Sequence, residues 1–350
     1  MSKLSGQKLF FIIPGFLLGT SLFLGNSAFR FLIKPVVIDI ASSPAQISAQ
    51  ISAQISAQAP KTLPTSLTLI LAGDIMLSRR VNLMMQAKND YTFPFQKIAE
   101  ELKKADIAFG NLENPISDKG RKAGSIYSFR ANPKSVEGLS FAGFDVLSLA
   151  NNHAFDYGKI ALEDTFLRLR TAGIDYTGAG FNEKEAFSPI IKEINGTKIG
   201  FLAYTDLGSV YWTATENSSG LALINLEYFE NIKQDIKKAK SQVDILIVSL
   251  HSGEEYIQEP GQLQINFDRA AIDAGADIVV GHHPHVVQRN EQYKTGWIFY
   301  SLGNFVFDQN FSPKTMQGQI VKILIEDKKI KEVIPINIKI NQYFQPEIVK

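Results

Sequence analysis

Residues 275–288, Gly275-Ala276-Asp277-Ile278-Val279-Val280-Gly281-His282-His283-Pro284-His285-Val286-Val287-Gln288, decide how this chain is to be read. Ile278 to Val280 form a short β-branched run of the kind that makes a buried strand. The chain then turns at Gly281 into three histidines interrupted only by a proline. The chain has five histidines, and the other two, His153 and His251, also follow apolar runs of strand type, Leu147 to Ala150 and Ile245 to Leu250. A single histidine is more often a hydrogen-bonded core or surface residue. Five that all leave strand ends point to one shared site, because ligands of open α/β sheets bind outside the carboxyl ends of the strands. Imidazole suits zinc, iron, nickel and copper, and added carboxylates bring in manganese.

Composition narrows the alternatives. With 350 residues the chain can hold one large domain or two small ones. A net charge of +1 shows no basic excess, so no nucleic-acid partner is expected. There is no cysteine, which leaves imidazole, carboxylate, amide and water as metal ligands.

Residues 1–34 place Lys3 and Lys8 ahead of the apolar run Leu9 to Leu24. This predicts a transmembrane signal anchor with the rest of the chain outside the cytoplasm. Gly25-Asn26-Ser27-Ala28 is a weak cleavage site that would instead release a secreted protein. Residues 35–65 carry the repeat Gln-Ile-Ser-Ala from Gln46 to Ala57 and read as a low-complexity, flexible linker. The folded domain is expected over 66–350. Within it, Leu67 to Ala72 and Asp106 to Phe109 read as strands followed by the carboxylates Asp74 and Glu113. Helices are expected over 95–104, 133–142, 158–172, 227–242 and 263–274. Phe187 to Ile194 and Lys198 to Tyr204 should form a hairpin around Asn195-Gly196. The pairs 318–325 and 330–340 should close the domain as antiparallel strands. Alternating strands and helices make the fold class α/β.

Six short motifs occur in this order: Gly73-Asp74, Asn111-Leu-Glu113-Asn-Pro115, Ala150-Asn-Asn152-His153 with Asp156 and Gly158, His251-Ser-Gly-Glu-Glu255-Tyr256, Gly281-His282-His283-Pro-His285, and Ser301-Leu-Gly-Asn304-Phe305. With them the chain, from about Leu67 to Asp308, resembles the poly-gamma-glutamate capsule biosynthesis protein CapA family, which is similar to the calcineurin-like metallophosphoesterases. The resemblance implies a four-layer αββα sandwich of two mixed sheets. It also implies a divalent metal ion (Mn, Zn, Fe or Ca) held by Asp74, Glu113, Asn152, His251, His283 and His285. His153 then resembles a general acid, with Asp156 beside it. Arg79, His282, Glu255, Tyr256 and Asn304 are the candidates for substrate contact; packing at the rim is the competing use of Arg79, Tyr256 and Asn304.

Two departures stand out. Met76 occupies the position of a metallophosphoesterase histidine, and Asn111 or Glu113 replaces the bridging aspartate, so one metal or two remains open. The resemblance implies a membrane-anchored hydrolase of a phosphoester, or of an amide in an anionic capsule polymer, working beside polymer synthase or export proteins. The alternative is a non-catalytic metal-binding subunit that holds or exports that polymer.

Overall fold

The computed structural model describes residues 66–123 and 126–349. The predicted anchor and linker lie outside them. Among the described residues no helix is long and apolar enough to cross a membrane.

The strands, in chain order, are β1 (Ser66–Ile75), β2 (Ile107–Leu112), β3 (Val146–Ser148), β4 (Asp175–Thr177), β5 (Ala179–Gly180), β6 (Ile190–Ile194), β7 (Thr197–Thr205) and β8 (Gly220–Leu221). They continue as β9 (Ile245–His251), β10 (Ile278–His282), β11 (Asn290–Tyr293), β12 (Gly296–Phe299), β13 (Asn304–Val306), β14 (Gln317–Glu326), β15 (Lys329–Ile340) and β16 (Pro346–Ile348). One sheet runs β16-β15-β14-β1-β2-β3-β4, with β13 also paired to β1. The other runs β11-β12-β10-β9-β7-β6. Both are mixed: β1 to β4 are mutually parallel and β14 to β16 antiparallel, while β7, β9, β10 and β12 are parallel with an antiparallel strand at either edge.

Strand alternation sorts the apolar side chains into layers. Leu67, Leu69 and Leu71 of β1 share one buried cluster with Ile245 and Ile247 of β9 and Ile278 and Val280 of β10, so the sheets lie face to face. Phe109 and Phe201 stack across that seam at 5.5 Å between ring centroids, a pairing that adds about 0.5–1.5 kcal/mol beyond burial. The alternate residues face outward. Ile70 and Ala72 pack with the helices Arg79–Lys88, Ser135–Ala142 and Lys159–Thr171. Leu246, Val248 and Val279 pack with the helices Glu230–Lys240 and Gln262–Asp273. The layers are therefore helices, sheet, sheet, helices.

Leu162, Phe166 and Leu169, the expected apolar stripe of the helix Lys159–Thr171, are all buried. The helix expected over 95–104 is instead a 3-10 turn at Phe93–Phe95 and a short helix at Ala99–Leu102. The helix Arg79–Lys88 falls in a stretch to which the sequence reading assigned no element; it buries Val81 and Met85, one turn apart, while Leu83 between them is exposed.

Two glycines set how closely the site-bearing segments approach. A Cβ on Gly281 would lie 1.9 Å from the Tyr300 carbonyl oxygen, and one on Gly73 would lie 2.0 Å from that of Gly303. Neither carbonyl can swing away as a flexible side chain would. Gly281→Ala is accordingly expected to cost about 3 kcal/mol or more, read as a drop in the urea unfolding midpoint. An unchanged midpoint would contradict this packing.

Candidate metal centre

The seam between the sheets opens at the carboxyl ends of β1, β9 and β10, and polar residues replace the apolar ones there. Asp74 lies next to the end of β1, in register with Asn111 of β2 and Asn304 of β13. His251 ends β9 opposite His282, which ends β10. Continuing the inward alternation of Ile247 and Val280 brings both imidazoles to the same inner face as Asp74. His283 and His285 follow in left-handed conformations, with φ of 98° and 57°. Non-glycine residues hold such angles only where the surroundings enforce them. Here the His283 N–H donates to Asp74 Oδ2 at 3.2 Å, and His285 Nδ1 meets Asn304 Oδ1 at 3.0 Å.

Two sets of side chains bring their ligand atoms within 4.8 Å of one another: Glu113 with His283 and His285, and Asp74 with Glu113 and His251. Glu113 belongs to both. All five residues are buried. Asn111 ties them together, its amide lying 2.9 Å from Asp74 Oδ1, 3.2 Å from His251 Nδ1 and 3.5 Å from Glu113 Oε2. Asn152 contacts His251 Nε2 at 2.8 Å through Oδ1.

Electrostatics follow from this crowding. Burial drives the Glu113 carboxyl well above its usual range, and the Asp74 charge pushes it further. Burial opposes ionisation of Asp74 too, but His282 and His285 beside it outweigh that and hold it well below its usual range. Burial, reinforced by His285, lowers His283 to about 3. His251 is lowered well below its ordinary value by burial and then by His283. The last two imidazoles are therefore neutral and keep a lone pair for a cation.

The residues fit a divalent cation on their own evidence. Glu113 Oε1 and His283 Nδ1, both in the ligand sets, are buried without a hydrogen-bond partner. A native structure rarely leaves such groups unsatisfied, and a cation between them would answer all the orphans that can reach it. Their nitrogen and oxygen chemistry suits zinc, manganese or iron.

Beside this cluster His153 Nδ1 meets Asp156 Oδ2 at 2.7 Å, and its Nε2 lies 3.8 Å from Glu113 Oε1. The Phe129 ring stacks on the imidazole at 4.0 Å, and its N–H donates to the same Asp156 oxygen at 2.6 Å. A cleft of about 670 Å³ opens above, lined by Arg79, Asn152, His153, Glu255, Tyr256 and His285 among others.

Not every expected residue reaches it. His282 and Asn304 are fully buried and do not line the cleft. His282 stands 3.3 Å from Asp74 Oδ1, and Asn304 braces His285 from behind. Both stand behind Asp74 and His285, away from the cleft. Met76 is buried in the helix-side cluster and accepts the Ser78 hydroxyl, so it leaves the centre without a ligand at that position. Sequence reading left out Asp308, whose carboxylate pairs with the Arg79 guanidinium and accepts the Arg80 N–H at 3.0 Å. It follows β13 as Asp74 follows the apolar run of β1, so the same strand-end signal was available.

The family model described as bacterial capsule synthesis protein PGA_cap matches residues 68–309. Capsule biosynthesis protein CapA of Bacillus anthracis is 37% identical over 281 residues, covering 78% of this chain and 68% of the relative. PGA biosynthesis protein CapA of Bacillus subtilis (strain 168) is 36% identical over 271 residues, covering 76% of this chain and 70% of the relative. Among solved structures, a novel phosphatase from Mycoplasma pneumoniae aligns over 79% of this chain and 95% of its own, at a TM-score of 0.46 and 16% identity. That likeness is distant.

Proposed function

The chain belongs to the bacterial capsule synthesis protein PGA_cap family, and from that premise we propose that it is a divalent-metal-dependent hydrolase in the biosynthesis of a capsule polymer of the poly-gamma-glutamate type. The observation that carries the hydrolase reading is the sharing of Glu113 between two ligand sets. A carboxylate common to two ligand sets suits a pair of ions that clamp a phosphoester.

Asp74, Glu113 and His251 would hold one ion, and Glu113, His283 and His285 a second. A bound cation would supply Lewis acidity at the scissile group. The rest falls to the chain's own residues. Asp156 holds the Nδ1 side of His153, which leaves Nε2, 3.8 Å from Glu113 Oε1, as the proton donor. In hydrolysis the oxygen of a water bonds to phosphorus or to the carbonyl carbon while the bond to the leaving oxygen or nitrogen breaks. His153 gives its Nε2 proton to that leaving atom, and a proton lost by the water restores it. Asn111 orients Asp74 and His251 and does not itself touch the substrate.

The apolar segment at residues 1–34 would tether this domain at the outer face of the membrane, near polymer synthase or export proteins. Substituting His153→Asn in the full chain is expected to leave metal content, measured by plasma mass spectrometry, within two-fold. The same change should lower kcat on a phosphoester or a γ-glutamyl oligomer by about 10²–10⁴. Unaltered turnover would remove His153 from the mechanism. Stoichiometric metal with no turnover of either substrate would favour the metal-binding, non-catalytic reading, which the Met76 departure already supports.

A further inference from the structure

The wall of the cleft opposite His153 narrows the substrate class. Tyr256 sits there at a left-handed φ of 67°, a costly conformation for an aromatic residue. Three contacts hold it: its N–H donates to the Pro284 carbonyl at 2.8 Å, its hydroxyl accepts from Gln309 Nε2 at 3.2 Å, and its ring leans over His285 at 6.1 Å. Phe311 meets it edge to face, 5.1 Å away at 87°, and is 65% exposed. The two rings form a fixed aromatic corner beside the metal ligands, with one face open to solvent.

Charge speaks against a polyanion in that corner. Arg79 and Arg80 are the only arginines or lysines among the described residues that line the cleft, and Glu255 and Asp308 balance them. Both arginines are already engaged. Arg79 pairs with Asp308 and lies 4.5 Å over the Phe129 ring. Arg80 donates to Asn310 Oδ1 at 3.0 Å and lies 4.9 Å over the Phe344 ring. A chain with a carboxylate on every residue would need uncommitted cations along its path.

Resting on the phosphoester branch of the proposed function, we infer that the group held beside the metal centre is a sugar ring carrying a phosphate ester. The corner of Tyr256 and Phe311 presents two faces at right angles. That shape receives the C–H faces of a puckered pyranose, whereas a flat nucleobase calls for parallel faces. Glu255 and Asn152 offer the hydroxyls hydrogen-bond partners, and the phosphate is left for the cation.

Binding, not turnover, tests this, so that it stands apart from the hydrolase reading. The manganese-loaded full chain is titrated calorimetrically with phosphonates that cannot be hydrolysed at the corresponding bond: those of glucose, glycerol and uridine, with tri-γ-glutamate as the polyanion. The glucose phosphonate should bind at least ten-fold more tightly than the glycerol phosphonate. Phe311→Ala, a change at an exposed position, should erase that margin while the glycerol compound stays within two-fold. Equal affinity for glucose and glycerol compounds overturns the inference, as does a margin that survives Phe311→Ala. Tighter binding of uridine phosphonate or of tri-γ-glutamate, or no binding of any phosphonate, does the same. If the protein holds metal and hydrolyses nothing, the hydrolase reading fails while these affinities still decide the ligand class.

Discussion

Asp74→Asn should strip the protein of most of its metal and lower any metal-dependent turnover by about 100- to 4000-fold. The substitution keeps the side chain's shape and removes only its charge. Asp74 is fully buried, lies 3.3 Å from His282 and 3.5 Å from His285, and takes hydrogen bonds from Asn111 and the His283 N–H. Removing one partner from a buried charged cluster costs about 3–5 kcal/mol, and each 1.4 kcal/mol is about tenfold in binding. Equilibrium dialysis with manganese or zinc, read by mass spectrometry, measures the loss directly. An Asp74→Asn protein that holds metal as tightly as the parent would show that Asp74 is a turn residue and that the convergence on it has no ligand role.

That convergence is also where sequence reading reaches its limit. The histidines could be placed after strands because Ile245 to Val248 and Ile278 to Val280 are continuous apolar runs, and a strand-end histidine needs no tertiary information to be recognised. Which way each one points does need it. His251 and His282 are register partners on the inner face of one sheet, yet His251 joins a ligand set while His282 stands behind Asp74. The difference arises from how the facing sheet offers β1, and nothing local to either residue encodes that. For Asn304 the sequence left substrate contact and packing at the rim both open, and its register with Asp74 sets it against His285. The helix Arg79–Lys88 was hidden by its sparse stripe, only Val81 and Met85 being buried. Ser78 at its N-cap is a start signal that the sequence did offer. Asp308 carried the strand-end signal and was overlooked because no motif enclosed it.

Metal removal should have an effect that grows with pH, and Glu113 is the reason. In the metal-free protein burial and the Asp74 charge raise the Glu113 carboxyl well above its usual range, so the folded state keeps a proton that the unfolded chain has released. The folded state then binds more protons than the unfolded one, and stability falls as pH rises from about 4.5 toward the elevated folded value. His251 and His283 have the opposite sign. Burial first, and then neighbouring imidazoles, lowers both, so the unfolded chain takes up their protons first and stability is lost as pH falls below about 6.5. A cation needs Glu113 ionised and both imidazoles neutral. His251 and His283 already are in the folded state, so the ion held with Asp74 and His251 releases the Glu113 proton on loading, and its apparent affinity should rise about tenfold per pH unit below the folded value. At a hundred-fold excess over the dissociation constant a ligand adds about 2.7 kcal/mol, and each pH unit should add about 1.4 kcal/mol to the gap between loaded and stripped protein. Unfolding the two forms in urea between pH 5 and 8 tests this. The gap should widen with pH in the parent and stay nearly level in Glu113→Gln, which has no proton to release. A gap independent of pH in the parent would mean that Glu113 is ionised before the metal arrives, and that it does not lie between the ions as the shared ligand.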